Sequence, residues 1–222
     1  MTTEEFRDRL GKRAGQANAP VSETVLQALD AYFRLLARWN RTINLTALPL
    51  DPLTDDALDR LFIEPLAAAH YIKEALSGKP LPVWFDLGSG GGSPAIPLKI
   101  VAPQLQLTMV EARSRKAAFL SEAARALNLS NAAVINARFE DLRAAGKADL
   151  VTVRAVRGDA TLDIAASDLL NETGVFAAFG PQPPRRDKWQ VIRAVQLLPW
   201  AVESQLSLSR RVPRGTNRLT PI

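Results

Sequence analysis

The 222-residue sequence predicts a doubly wound α/β fold, a mostly parallel sheet with an N-terminal helical cap. Three observations carry this. After Pro82, short apolar runs alternate with helix-period patterns across brief connections. A cluster of four glycines at 88–92 stands where the first of these runs meets the next helix. Ahead of it only helical patterns occur, which places a helical cap at 1–80 and the α/β domain at 81–222.

In the cap, Val25, Leu26, Leu29, Tyr32, Phe33, Leu36 and Trp39 recur at helical spacing, with Ser22 placed to cap the helix. WNRTINLTALPLDP follows and reads as a loop. A second helix is expected from Asp55 to Leu76, kinked or broken at Pro65, which has no N–H to give. VWFDL (83–87) reads as a buried strand and LQLTMVE (105–111) as the next. A helix between them holds Pro94 and Pro97 in its first turn and stops near Pro103. A helix over Arg115–Leu127, strands at AAVIN (132–136) and ADLVTV (148–153), a helix over Thr161–Leu170 and a strand at GVFAAF (174–179) complete the alternation. Trp189–Leu198 reads as helical. QLSLS (205–209) and the stretch near Arg218 read as an edge hairpin turning at Pro213 and Gly215.

Composition removes several classes of chemistry. With no Cys, disulfide scaffolds, thiolate metal sites and cysteine nucleophiles are excluded. The single His, His70, leaves no metal cluster and no obvious base. The charged start MTTEEFRDRLGKR and the lack of a long apolar run indicate a cytoplasmic chain with no membrane partner. The net charge of +5 is unevenly placed. In residues 185–222, Arg185, Arg186, Lys188, Arg193, Arg210, Arg211, Arg214 and Arg218 stand against Asp187 and Glu203. That basic end suits a polyanion; a merely solvated tail is the alternative.

The sharpest motif is DLGSGGGSPAIPL (86–98). Glycines permit positive φ and close approach of a ligand. Gly88 and Gly90 match a dinucleotide fingerprint, but Ser93 stands where it needs Gly or Ala. Asp86, just before the loop, repels a pyrophosphate and suits a cation. Glu111, at the end of the next strand, is placed to hold ribose hydroxyls. Together these favour S-adenosylmethionine, whose ammonium and sulfonium are cationic, over a nicotinamide dinucleotide. Phe139 and Glu140 follow the third strand, where they would flank and read an adenine or simply form a surface turn. Arg154 ends the fourth strand, as a ligand contact or a structural ion pair. Asn40, Asn44 and Thr46 either line the pocket mouth or serve turn chemistry.

WNRTINLT (39–46), FDLGSGGGSPAIPL (85–98), VEARSRKAAFL (110–120), ARFEDL (137–142) and DLVTVRAV (149–156) together resemble the 16S ribosomal RNA guanine-N7 methyltransferase family, also called glucose-inhibited division protein B. The resemblance implies a Rossmann-like class I S-adenosylmethionine-dependent methyltransferase fold. It implies donor contacts at Gly88, Ser93, Phe139, Glu140 and Arg154, joined by Asp86, Gly90 and Glu111. The implied partner is 16S ribosomal RNA or the small-subunit particle, met by a monomer without metal. Arg154 is the expected catalytic residue, orienting methionine or guanine. The chain departs from the family on the substrate side. Leu61-Phe62-Ile63-Glu64-Pro65-Leu66 stands where His-x-x-Asp-Ser-Leu is usual, and Phe179-Gly180-Pro181 where Leu-Lys-Gly is usual. These departures leave an alternative, a donor-binding paralogue that modifies a small molecule or a protein, or that transfers nothing.

Overall fold

The computed structural model describes residues 1–142, 146–155, 160–181 and 188–212. Four helical segments come first: α1 (Thr3–Gln16), α2 (Glu23–Asn40), α3 (Asp55–Leu58) and α4 (Glu64–Ala75), with a π-helical turn over Asp59–Ile63 joining the last two. The α/β part runs β1 (Val83–Leu87), α5 (Ala95–Val101), β2 (Gln106–Val110), α6 (Ser114–Ala126), β3 (Ala132–Ile135), a 3₁₀ turn (Phe139–Asp141), β4 (Ala148–Arg154), α7 (Ala160–Leu169), β5 (Leu170–Phe179), β6 (Trp189–Leu198) and β7 (Ala201–Arg211). The sheet order is β3-β2-β1-β4-β5-β7-β6. Strands β1 to β5 are parallel, and β7 runs antiparallel between β5 and β6.

Successive β1 residues face opposite sides of the sheet, and both sides are covered. Trp84 joins the larger core with α1, α2, α4, α5 and α6. Phe85 and Leu87 join a smaller one with α7, Phe176 and Trp189. Phe6 of α1 stacks on Phe33 of α2 at 4.6 Å and meets the Phe62 ring at 5.5 Å, so the cap helices belong to the larger core. Each fully buried aromatic or large aliphatic contributes roughly 1.5–3 kcal/mol by leaving water.

Two expectations need correction. Trp189–Leu198 is not a helix but β6, the edge strand. Its pairing with β7 shifts register between Val191 and Arg193 and again between Gln196 and Leu198. Those irregularities break the two-residue alternation that marks a strand. QLSLS is not at an edge either: it lies in β7, between β5 and β6, and the hairpin turns at Pro199 and Trp200. The turn expected at Pro213 and Gly215 lies outside the described residues, as do Arg185, Arg186, Arg214 and Arg218.

Helix α1 has no counterpart in the sequence reading, yet its signals are present. Thr2 and Glu5 form a capping box, with Glu5 Oε2 accepting from Thr2 N–H at 2.7 Å, and Phe6, Leu10 and Ala14 repeat every four residues on the buried face. Arg13 ties this helix down. Its guanidinium pairs with Asp59 in the π turn and lies 4.7 Å from the centre of the Trp200 ring. The Trp200 indole N–H donates to the same Asp59 carboxylate at 2.7 Å. One buried carboxylate thus joins the first helix, the π turn and the last hairpin. No described helix is long and apolar enough to cross a membrane.

Candidate functional site

The strand order reverses between β1 and β4, and the crevice past their carboxyl ends is where open α/β sheets bind ligands. The glycine loop lies there. Gly88 and Ser89 N–H groups donate to Val110 O at 2.9 and 3.1 Å, and Gly92 N–H closes the turn on Ser89 O at 2.7 Å. Glu111 holds the loop from the side: Oε2 accepts from Gly90 N–H and Oε1 from Arg113 N–H, both at 2.9 Å. From the cap, the buried Tyr32 hydroxyl donates to Gly91 O at 2.6 Å.

The glycines differ in what they permit. Gly90 has φ +53°, and a Cβ there would meet only Gly88 O, at 3.7 Å. It borders open space. Gly92 has φ +94°, and a Cβ would stand 2.6 Å from Ile96 Cδ1 and 3.2 Å from the Tyr32 hydroxyl. Two outcomes are expected. Gly92→Ala lowers the stability measured by urea unfolding by about 1–3 kcal/mol, because the backbone is strained even if Ile96 swings aside. Gly90→Ala costs about 1–2 kcal/mol of left-handed strain, stays folded, and loses ligand affinity through a methyl group placed in the crevice; calorimetry separates the two effects.

Asp86, the penultimate residue of β1, has 1% of its surface exposed. Its carboxylate accepts a short hydrogen bond from the Thr152 hydroxyl, which accepts from the Trp84 indole N–H at 2.8 Å. Asp86 has no ion pair with any described residue. Burial pushes its pKa up to about 6, against the downward pull of Thr152, Ser89 and Arg154. Among the described residues this buried carboxylate has no direct ion-pair partner, and Arg154 acts on it only through its charge.

Pro65 explains the other wall. In the π turn the Glu64 N–H bonds back to Asp59 O. The next residue, proline, has no N–H to give to Arg60 O or Leu61 O, and side-chain donors reach both carbonyls. Ser93 Oγ donates to Leu61 O at 2.9 Å and lies 3.4 Å from Arg60 O. An Arg154 guanidinium nitrogen donates to Arg60 O, and another lies 2.9 Å from Glu64 Oε2. The guanidinium also sits 4.8 Å from the centre of the Phe179 ring. Glu64 is buried and Arg154 partly so, with side chains 11% and 12% exposed. The structural ion pair weighed for Arg154 is therefore present, and its partner is the residue that replaces the usual Asp.

The profile of a family described as rRNA small subunit methyltransferase G matches residues 25–203. The chain belongs to this family. A ribosomal RNA small subunit methyltransferase G of Stenotrophomonas maltophilia (strain K279a) is 36% identical over 185 residues, 80% of this chain and 82% of the relative. Its namesake in Neisseria gonorrhoeae (strain NCCP11945) is also 36% identical, over 78% of this chain and 79% of its own. Among solved structures, the tRNA (m1A58) methyltransferase TrmI from Aquifex aeolicus superposes with a TM-score of 0.55, covering 66% of this chain and 69% of its own at 16% identity. A SAM-dependent methyltransferase from the same organism superposes at 0.54, covering 73% and 96% at 13% identity. These likenesses and the sheet order show the class I methyltransferase fold.

Of the residues expected to serve this methyltransferase family's site, Asp86, Gly88, Gly90, Ser93, Glu111 and Arg154 gather at the carboxyl ends of β1, β2 and β4. Phe139 and Glu140 lie in the 3₁₀ turn beyond β3; Phe139 is half-buried against the smaller core, and Glu140 is exposed. Asn40 and Thr46 serve turn chemistry instead. Asn40 Oδ1 accepts from the Leu45 and Thr46 N–H groups at 2.8 and 3.0 Å, and Thr46 Oγ1 from Leu48 N–H at 3.1 Å. Asn44 is exposed. His70 lies on the surface of α4, its side chain 78% exposed. Sequence reading missed Tyr32, Thr152 and Glu64 as supports. Nothing local marks them, because each acts on a residue at least 59 positions away. No group of three or more metal-ligating side chains occurs among the described residues.

Proposed function

We propose that this chain transfers a methyl group from S-adenosylmethionine to N7 of a guanine in 16S ribosomal RNA. The observation that carries the reading is the buried, cation-less Asp86 beside an open-sided glycine loop, in a chain of the ribosomal methyltransferase G family. These residues fit the donor. Asp86 faces its ammonium, Gly88 and Gly90 let it approach the backbone, and Glu111 receives the ribose hydroxyls. Phe139 and Glu140 flank the adenine, while Ser93 and Arg154 close the methionine end. When bound, S-adenosylmethionine supplies a methyl group on a neutral-leaving thioether, and guanine N7 accepts it through a lone pair without losing a proton.

The chain's work is then positioning. Arg154 is fixed by Glu64, Arg60 O and Phe179, so its place does not depend on a mobile side chain. No general base is needed, in keeping with a single, exposed histidine. Lys188, Arg193, Arg210 and Arg211 on and beside the last hairpin supply charge for RNA phosphates. We assign the cap, 1–80, to the acceptor side, and we take the active unit to be a cytoplasmic monomer.

Labelled donor incubated with small-subunit particles from a strain lacking the modification tests this. Label is expected in 16S RNA, resistant to protease and mapped to a guanine N7 by its lability to mild reduction and aniline. Folded, donor-binding protein that leaves the RNA unlabelled would move the assignment to another acceptor.

A further inference from the structure

A cavity of about 350 Å³ opens past the ends of β4 and β5 and against the β6–β7 hairpin. Its lining includes Arg154, Phe179, Glu64, Asp59, Glu203 and Ser204. Arg154 links it to the glycine loop: the same Arg60 carbonyl that takes the Arg154 hydrogen bond lies 3.4 Å from Ser93 Oγ of that loop.

Two features make this a built site. Ser204 is 2% exposed, yet its hydroxyl has no hydrogen-bond partner, and neither does Arg154 Nε. A buried polar atom left unpaired costs about 1–3 kcal/mol, which an incoming ligand would return. The lining is also acidic, with Asp56, Asp59, Glu64 and Glu203 against Arg60 and Arg154. Asp59 is held by Arg13 and Trp200, and Glu64 by Arg154. Glu203 is exposed at the cavity's rim and has neither hydrogen bond nor ion pair with any described residue. A cavity lined this way repels phosphate and accepts a ligand edge that only donates.

We infer that this cavity receives the acceptor guanine, turned out of its RNA, and that Glu203 selects it by accepting from N1–H and the 2-amino group. The inference rests on the guanine reading above. An ionised carboxylate only accepts, so it pairs with the guanine edge and not with adenine N1, which also only accepts. N7 lies at the opposite end of the purine. With the donating edge on Glu203 at the hairpin, N7 points back toward Arg154 and the glycine loop. Arg154 Nε is then available to O6, the acceptor next to N7. Attack forms the N7–CH3 bond and breaks the CH3–S bond, whose electron pair stays on sulfur. The base becomes cationic and no proton moves. Its N1–H becomes a stronger donor as that charge grows, so the Glu203 contact tightens toward the transition state. Turning out a nucleotide to reach one atom is common among base-modifying enzymes.

The test uses the full chain saturated with S-adenosylhomocysteine. Saturation-transfer NMR compares guanosine, inosine (which lacks the 2-amino group) and adenosine. Guanosine is expected to bind more tightly than inosine, and inosine more tightly than adenosine, with Glu203→Ala removing the order. On small-subunit particles, Glu203→Ala is expected to lower kcat/KM by about 10- to 100-fold, the worth of a bidentate base contact. Donor affinity by calorimetry stays unchanged, as a merely structural loss would not leave it. Glu203→Gln, of equal size, keeps the fold and loses the same preference in part. Wild-type nucleoside order and particle turnover retained in both variants would overturn the inference while leaving the methyltransferase reading intact. A guanosine preference that tracks Glu203 without any labelling of 16S RNA would keep the pocket and remove the ribosomal acceptor.

Discussion

Asp86→Asn is expected to stabilise the ligand-free protein above pH 6 and to abolish donor binding. The carboxylate is buried, and its pKa is raised to about 6 from an ordinary value of 3.8. The groups facing it are Thr152, Ser89, Arg154, Glu111 and Tyr32. Burial dominates the sum. Because the folded state holds the proton more tightly, stability is greatest below about pH 4 and is lost as pH rises through about 6. Above that window the charged carboxylate costs on the order of 3 kcal/mol. Asparagine still accepts from Thr152 and carries no charge, although its new amide hydrogens recover part of the penalty. Thermal unfolding against pH should show the variant above the wild type at pH 8 and the two converging near pH 4. Calorimetry should show donor affinity reduced by more than about 100-fold, since the ammonium loses its buried counter-charge. The wild type should itself bind donor less tightly below about pH 6, as Asp86 takes up a proton. A variant that binds donor normally would remove Asp86 from the site.

The second large effect is expected at Arg154. Arg154→Met leaves Glu64 buried without its cation, which should cost about 3–5 kcal/mol in urea unfolding. Adding Glu64→Gln in the same chain should restore most of that stability, and the cycle gives the coupling of the pair. Neither variant should transfer methyl groups. Arg154→Lys separates charge from geometry. Lysine keeps the cation, but one ammonium cannot serve Arg60 O, face Glu64 and lie over Phe179 together. It should fold and turn over slowly. Full activity in the lysine variant would reduce Arg154 to a charge that holds β4 to the π turn and the start of α4.

The parallel part of the fold was legible because its signals are local. VWFDL ends in glycines, each strand is a short apolar run, and each helix repeats with its own period, so β1 to β5 and α5 to α7 sit within a few residues of expectation. The hairpin was not legible. Two register shifts in β6 erase alternation, and only pairing with β7 makes those residues a strand. The gathering of Asp86, the glycines and Glu111 was legible for the same reason as the strands: they sit at or next to strand ends, where chain direction alone places them together. Its supports were not. Tyr32 on the glycine loop and Glu64 on Arg154 depend on how the cap meets the sheet.

What the sequence determined alone was therefore the class of fold and the family, with the strand-end residues proposed here for a cationic donor, all set by short-range pattern. What tertiary structure decided was the use of Pro65. The sequence says only that a hydrogen is missing from the helix; packing decides that Ser93 and Arg154 supply it. It likewise decided that Glu203 stands unpaired in a cavity beside them. The physical reason is that an unsatisfied backbone carbonyl or buried hydroxyl constrains which distant groups come close, and that constraint appears only once the chain has closed on itself.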